Sequence, residues 1–136
     1  FNDVTYAGNS LFVAPSGVIS LGGPIFPQDN FDLTKAPETV GGIPIIAPLF
    51  DDWVTGLTAF PSLAFPTGID PKVLYRFEDT TIPNDDINDR LIIEWENVYH
   101  RDQIDMGPTP TVITGASPVT FQLILELNTF DRDGDI

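Results

Sequence analysis

Strict alternation of apolar and polar side chains is the pattern that most constrains the fold of this chain. From 119 to 127 every odd-numbered position is apolar, and three of the four even-numbered positions are polar. The stretches 72–77 and 91–99 alternate in a similar way. Successive side chains of a β-strand point to opposite faces, so a period of two predicts three strands, each with one buried face.

The alternation also assigns side chains to faces. In the stretch 72–77 Tyr75 falls on the more apolar face, and in the stretch 91–99 Trp95 falls on the same face as positions 93, 97 and 99. We therefore expect Tyr75 and Trp95 to lie in the core. Glu94 and Glu96 share the opposite face, which we expect to be solvated.

A hairpin and an edge segment are predicted near the start of the chain. The apolar stretches 11–13 and 18–21 are separated by four residues in which Pro15 presets φ and Gly17 supplies an unusual backbone angle, which indicates a turn. The segment 43–50 is apolar but contains two prolines, which are unfavourable in a helix or a central strand. It is predicted to be extended or at a sheet edge, crossing the core.

The remainder of the chain favours turns and loops. No stretch carries a capped helical stripe, and only a short helical turn at 29–36 is predicted. The 13 Pro and 11 Gly interrupt regular secondary structure. Long loops are predicted at 22–42, 55–71, 79–89 and 100–118. A chain of 136 residues suits one domain. We expect an all-β domain over residues 1–136, an antiparallel β-sandwich or sandwich-like barrel with long loops.

Charge and composition exclude several classes of function. The 20 acidic residues outweigh the six basic ones and give a net charge of -14, which disfavours nucleic acid and anionic lipid as partners but suits cations. The absence of Cys and the single His exclude thiolate and multi-histidine metal sites. No apolar run approaches the roughly 18 residues of a membrane-spanning helix, so membrane insertion is not expected.

The sharpest candidate for a metal site is the acidic run near the end of the sequence. Asp131, Asp133 and Asp135 alternate and could offer oxygen ligands to Ca²⁺. An EF-hand loop needs Gly at its sixth position, whereas Gly134 is fourth in this run. A solvated hairpin turn explains the same residues, and the preferred interpretation is that turn. Ile136 would then begin a returning strand, so the domain is expected to continue beyond it.

Two other groups of residues are candidates for ligands. Asp51 and Asp52 follow the apolar segment and are the second choice for a cation site, or they cap a turn. Trp53, Phe60 and Phe65 lie in or beside a loop, where exposed rings would mark a contact with sugar or protein. The alternative, which we prefer, is that these rings pin the loop over a sheet edge.

Catalytic residues are not evident. Glu94 and Glu96 lie on one face of one strand, and such neighbours seldom flank a substrate bond from two sides. His100 stands alone in a polar setting, and no nucleophile motif is present. The sequence therefore predicts a protein that is not an enzyme.

Five segments in order resemble the NIDO domain, the nidogen-type extracellular domain, over residues 9–125. The matching blocks are NSLFV and GVISLG within 9–22, PIIAPLFDD at 44–52, VLYR at 73–76, WENV at 95–98 and TFQLIL at 120–125. The loops at 55–71 and 100–118 are longer than the family pattern suggests.

The resemblance implies an extracellular, non-enzymatic module for adhesion, matrix or cell-surface assembly, in a version from a bacterial surface protein. Its expected partners are proteins, through self-assembly or contact with other surface proteins. A carbohydrate-binding module that Ca²⁺ assists, attached to a larger secreted protein, is the alternative, with a glycan as its partner.

Overall fold

The fold is taken from a computed structural model, which describes residues 10–25, 33, 42–56, 63–80 and 88–127. Within these ranges the chain forms nine strands and one short 3-10 turn at Arg101–Gln103. The strands are β1 (Leu11–Ala14), β2 (Val18–Leu21), β3 (Ile45–Ile46), β4 (Trp53–Val54), β5 (Lys72–Glu78), β6 (Arg90–His100), β7 (Ile104–Asp105), β8 (Thr111–Val112) and β9 (Val119–Glu126). No helix in these ranges is long and apolar enough to cross a membrane.

The strands form antiparallel sheets. The first sheet has the order β1-β2-β3, and in the second sheet β6 is central, with β5 and β9 as partners along its length and β4 paired near its end. Strands β7 and β8 form a separate small hairpin. The predicted all-β antiparallel fold is confirmed. The described strands do not close into a barrel, so the sandwich-like arrangement is the one observed.

The main core lies between the two sheets. Ile19 of β2 packs with residues of β6 and β9, and Trp95 of β6 is fully buried there. The indole Nε1 of Trp95 donates a hydrogen bond of 3.1 Å to the carbonyl oxygen of Ala14 in β1. That bond satisfies a buried donor and joins the sheets, while each fully buried large side chain contributes about 1.5–3 kcal/mol.

The β1–β2 hairpin and the edge position of β3 match the sequence predictions. The amide of Gly17 donates to the carbonyl of Ala14 over 3.2 Å, and Gly17 has a φ of 75°. A Cβ on Gly17 would overlap the carbonyl oxygen of Leu49, so this position requires glycine. Strand β3 pairs only with β2 among the described strands, and Pro44 and Pro48 flank it.

The predicted alternation of β6 holds as far as Trp95 and is wrong beyond it. The pairing of β6 with β9 shifts between Trp95 and Val98, where a β-bulge inserts one extra residue. Asn97 adopts a φ of 55°, and its amide donates to Oγ1 of Thr120 over 3.0 Å. Val98 therefore joins the inter-sheet core, and Tyr99 turns to the other side.

The shift at the bulge gives Tyr99 a core of its own. Tyr99 packs with Val54, Leu63 and Ile104, all of which are buried. Ile104 belongs to the β7–β8 hairpin, within the segment 100–118 that was predicted to be a loop. That prediction was wrong because strands of two residues are too short to show a period of two.

The outer face of the second sheet is mixed, since Leu74 and Ile124 are exposed on it among charged side chains. Arg90 contacts Glu126 at 2.9 Å and Glu78 at 3.7 Å, and Glu78 also contacts Arg76 at 2.8 Å. Hydrogen bonding and attraction to Glu126 raise the pKa of Arg90, so this guanidinium stays charged. These pairs are partly exposed, so they set the solubility of the face more than its stability.

Candidate functional site

The first candidate site is the corner where β4 meets the end of β6. Trp53 pairs with His100 across these strands, and their rings contact edge to face with centroids 5.9 Å apart. Nε2 of His100 lies 3.0 Å from Oδ1 of Asp51, which precedes β4. The amide of Asp51 donates to the carbonyl of Ser16 over 3.1 Å, so this corner is anchored to the β1–β2 turn.

Both ring nitrogens of His100 are engaged. Nδ1 accepts a hydrogen bond of 3.1 Å from the amide of Asp102. Because an accepting nitrogen carries no proton, the neutral imidazole bears its proton on Nε2 and donates it to Asp51. The amide of His100 also donates to Oε1 of Gln103 over 2.9 Å, so His100 caps the 3-10 turn.

This arrangement is suited to holding the backbone together. A histidine that already donates from one nitrogen and accepts at the other has no lone pair left for a serine proton. The hydroxyl of Ser16 is buried without a hydrogen-bond partner, and His100 is occupied by Asp51 and Asp102. Among the described residues, Ser16 and His100 are therefore not arranged as a nucleophile and its base.

The cation candidates divide into described and undescribed residues. Oδ1 of Asp51 accepts from His100 and, over 2.9 Å, from the amide of Asp52. Among the described residues, no group of three or more His, Cys, Asp or Glu side chains is placed to hold a metal ion. The run that contains Asp131, Asp133 and Asp135 lies outside the described residues. Calcium binding there stays a prediction.

The aromatic candidates are placed as follows. Trp53 is half-buried, lies 5.8 Å from Phe121 between ring centroids, and donates from Nε1 to the carbonyl of Leu49 over 2.9 Å. Phe65 is half-buried and stacks on Tyr99 with centroids 5.9 Å apart. Both contacts favour rings that pin the loop. Phe60 lies outside the described residues.

The paired glutamates of β6 also have structural partners. Glu94 accepts a hydrogen bond from the amide nitrogen of Gln122 on β9. Glu96 lies 3.4 Å from Nζ of Lys72 on β5. The two carboxylates thus take part in cross-strand contacts on opposite sides of β6.

The second candidate site is the free side of β5, which we call the β5 edge surface and define as Leu74, Tyr75 and Phe77. Their exposed fractions are 42%, 74% and 50%. Tyr75 pairs with Ile93 of β6, which is fully buried, so the boundary between core and surface lies between these two neighbouring strands. The prediction that Tyr75 lies in the core was wrong, whereas the same prediction for Trp95 is confirmed.

Strand order explains this difference. Among the described strands β5 pairs only with β6, so within the described part of the chain its other edge has no strand partner. The rings of Tyr75 and Phe77 contact each other at 81°, with centroids 6.2 Å apart. The alternation in the sequence correctly placed these rings on the face that also contributes to the core. It could not show that β5 lies at the edge of the sheet.

Charges border the β5 edge surface. At one end Lys72 lies 3.3 Å from Asp70, and hydrogen bonding to Asp70, followed by Glu96, raises the pKa of Lys72. Glu78 lies at the other end. The strand therefore begins with a cation and ends with an anion, and between them it carries apolar side chains together with Arg76, which contacts Glu78.

No family model, curated protein or solved structure matches this chain.

Proposed function

We propose that this chain is a non-enzymatic extracellular module for adhesion, matrix or cell-surface assembly, which works by protein–protein contact. The five ordered blocks that resemble the NIDO domain support the class of module. The β5 edge surface supports the mode of contact, and it is the observation on which the proposal depends.

An exposed aromatic edge suits a protein partner. Strand edges accept added strands through backbone hydrogen bonds, and side chains on alternate positions supply specificity. Tyr75 and Phe77 are of the aromatic type that protein interfaces favour, and they lie next to each other on one face. An isolated exposed residue would mean little, whereas two adjoining exposed rings on a strand that pairs on one side only, among the described strands, form a typical interaction surface.

A non-enzymatic role accords with the described polar groups. His100, Glu94 and Glu96, the side chains closest to an acid–base arrangement, each contact a partner that fixes a turn or a strand. Such contacts stabilise the local geometry of the turn and the strands.

Cell binding tests the proposal. Beads coated with the chain should bind intact cells of its source organism, and the double substitution Tyr75→Ser and Phe77→Ser should abolish most of this binding. Ile113→Ser is the matched control, because Ile113 is similarly exposed but lies away from β5. Antibodies against the chain should label intact cells. Unlabelled cells, or binding that the double variant retains, would overturn the proposal.

A carbohydrate-binding module is the second candidate, favoured by the 74% exposure of the Tyr75 ring, since such rings also stack on sugars. A glycan array with and without a calcium chelator distinguishes the two. Binding that Tyr75→Ser removes would support the module, and loss with chelator would place calcium in the site. An array without signal, together with cell binding that periodate treatment of the cells leaves intact, would favour the protein partner.

A further inference from the structure

We propose that the β5 edge surface pairs with the same surface of a second copy of this chain, as an antiparallel strand pair whose two-fold axis passes at Tyr75. This inference rests on the proposed interaction function and names the partner.

The seven-residue sequence of β5 is complementary to itself when two copies pair antiparallel. Tyr75 is the central residue, so pairing about it places each residue opposite the one equally far on the other side. On the aromatic face Val73 meets Phe77 of the second copy, and Tyr75 meets its equivalent. This makes one apolar row across the axis, continuous with the inter-sheet core that Val73 already contacts.

The opposite face supplies charge complementarity. Lys72 meets Glu78 of the second copy, and symmetry makes this pair twice. Leu74 meets Arg76, whose long stem covers apolar surface while its guanidinium stays in water. Two chains of net charge -14 repel each other, so an interface that brings cations against anions at both ends is what self-association of this chain requires.

Neighbouring registers are unfavourable. A shift by one residue would place aromatic side chains opposite charged ones on the wrong face. A shift by two in one direction places Lys72 opposite Arg76, and in the other direction it places Arg76 opposite itself. Directly opposed like charges destabilise a strand pair. Among these alignments, the register centred at Tyr75 alone avoids these conflicts.

The expected dimer is weak. A single pair of short strands buries less than the roughly 1,000 Å² that marks a stable interface. We therefore expect association in the micromolar to millimolar range, which becomes significant when many copies are displayed together on one surface.

Engineered cysteines test the register, because the chain has no cysteine of its own. Tyr75→Cys places two thiols directly opposite each other, within the Cα separation that a disulfide needs. It should form a covalent dimer on mild oxidation, whereas Phe77→Cys alone should not. A mixture of Val73→Cys and Phe77→Cys chains should cross-link to each other. No dimer of Tyr75→Cys, or equal dimer from every position, would overturn the proposal.

Charge reversal tests the contacts between Lys72 of one copy and Glu78 of the other without a covalent cross-link. Lys72→Glu or Glu78→Lys alone should weaken self-association about tenfold in sedimentation experiments, since each creates two like-charge pairs. An equal mixture of the two variants should recover it as a mixed dimer, because the opposite charges then meet again. Circular dichroism and thermal melting must show that each variant is folded. A mixture no stronger than the single variants, or a wild-type chain that stays monomeric up to about 1 mM, would overturn the proposal.

These outcomes are separable from those of the proposed function. If the cysteine and charge variants show no pairing while Tyr75→Ser and Phe77→Ser still abolish cell binding, the partner is another protein and only this inference fails. If the dimer forms but antibodies do not label intact cells, the inference stands and the extracellular function fails.

Discussion

The indole of Trp95 lies nearly parallel to the ring of Phe121, with 10° between the planes and 4.9 Å between the centroids. The two residues face each other directly across β6 and β9. Because Nε1 of Trp95 also reaches the carbonyl of Ala14, one side chain joins three strands in two sheets. We expect this residue to dominate the stability of the sandwich.

Replacing Trp95 by Phe should lower the free energy of unfolding by about 3 kcal/mol, since it leaves a cavity and removes the hydrogen bond from the indole to the carbonyl of Ala14. Urea denaturation followed by circular dichroism measures the change. Trp53→Phe is the control, because Trp53 is only half-buried, and it should cost about 1 kcal/mol. Equal losses for the two variants would contradict the central role of Trp95.

Gly17→Ala should be much more damaging than Gly115→Ala. Both glycines have positive φ, at 75° and 88°, so alanine costs about 1–2 kcal/mol of backbone strain at each. At Gly17 the added methyl group would also overlap the carbonyl oxygen of Leu49, whereas at Gly115 nothing lies within 4 Å. The difference between the melting temperatures of the two variants measures the destabilisation caused by the steric overlap at Gly17. Similar melting temperatures would mean that the turn can move away from Leu49.

The main strands could be predicted from the sequence because their signal is local. The apolar positions of β9 and the turn of the first hairpin depend only on neighbouring residues, and the structure has both where the pattern placed them. Tyr75 and Trp95 show where this stops. They lie in the same alternating pattern, but one is 74% exposed and the other is fully buried, because burial depends on which strand is central.

The corner formed by Asp51, Trp53 and His100 was harder still to predict, because it depends on contacts between residues far apart in the sequence. Asp51 and His100 are 49 positions apart, and nothing in the local pattern of either predicts their hydrogen bond. The bulge at Asn97 leaves only a small local signal: the consecutive polar residues Glu96 and Asn97 interrupt the alternation, but this break does not show which residue is the extra one. It is the bulge that turns Tyr99 towards the loop core and leaves His100 at the corner with Trp53.

Asn97→Gly should be close to neutral, whereas Asn97→Val should destabilise the protein by about 1–2 kcal/mol. Asn97 has a φ of 55°, which glycine adopts freely and a β-branched residue adopts only with strain. Urea denaturation provides the comparison. If valine were tolerated as well as glycine, the extra residue of the bulge could not lie at Asn97.

The pKa of Lys72 should fall in Asp70→Asn and in Glu96→Gln, because hydrogen bonds to Asp70 and Glu96 and the negative charges of both carboxylates raise it. NMR titration of the lysine Cε signals measures it, and Lys35 serves as a second signal. Because the folded pKa is raised, the stabilisation is present below the unfolded value of about 10.4 and is lost as pH rises through the folded pKa. An unchanged pKa in both variants would contradict these ion pairs.

His100 should be the Nε2–H tautomer when neutral, because Nδ1 accepts from the amide of Asp102 and Nε2 faces Asp51. Nitrogen NMR of the single imidazole distinguishes the tautomers. Asp102→Ala is the control that should leave the tautomer unchanged, since the donor is the backbone amide. Asp51→Asn should retain Nε2–H, because an amide oxygen can still accept it. A dominant Nδ1–H signal in the wild-type chain would mean that His100 does not cap the turn after β6.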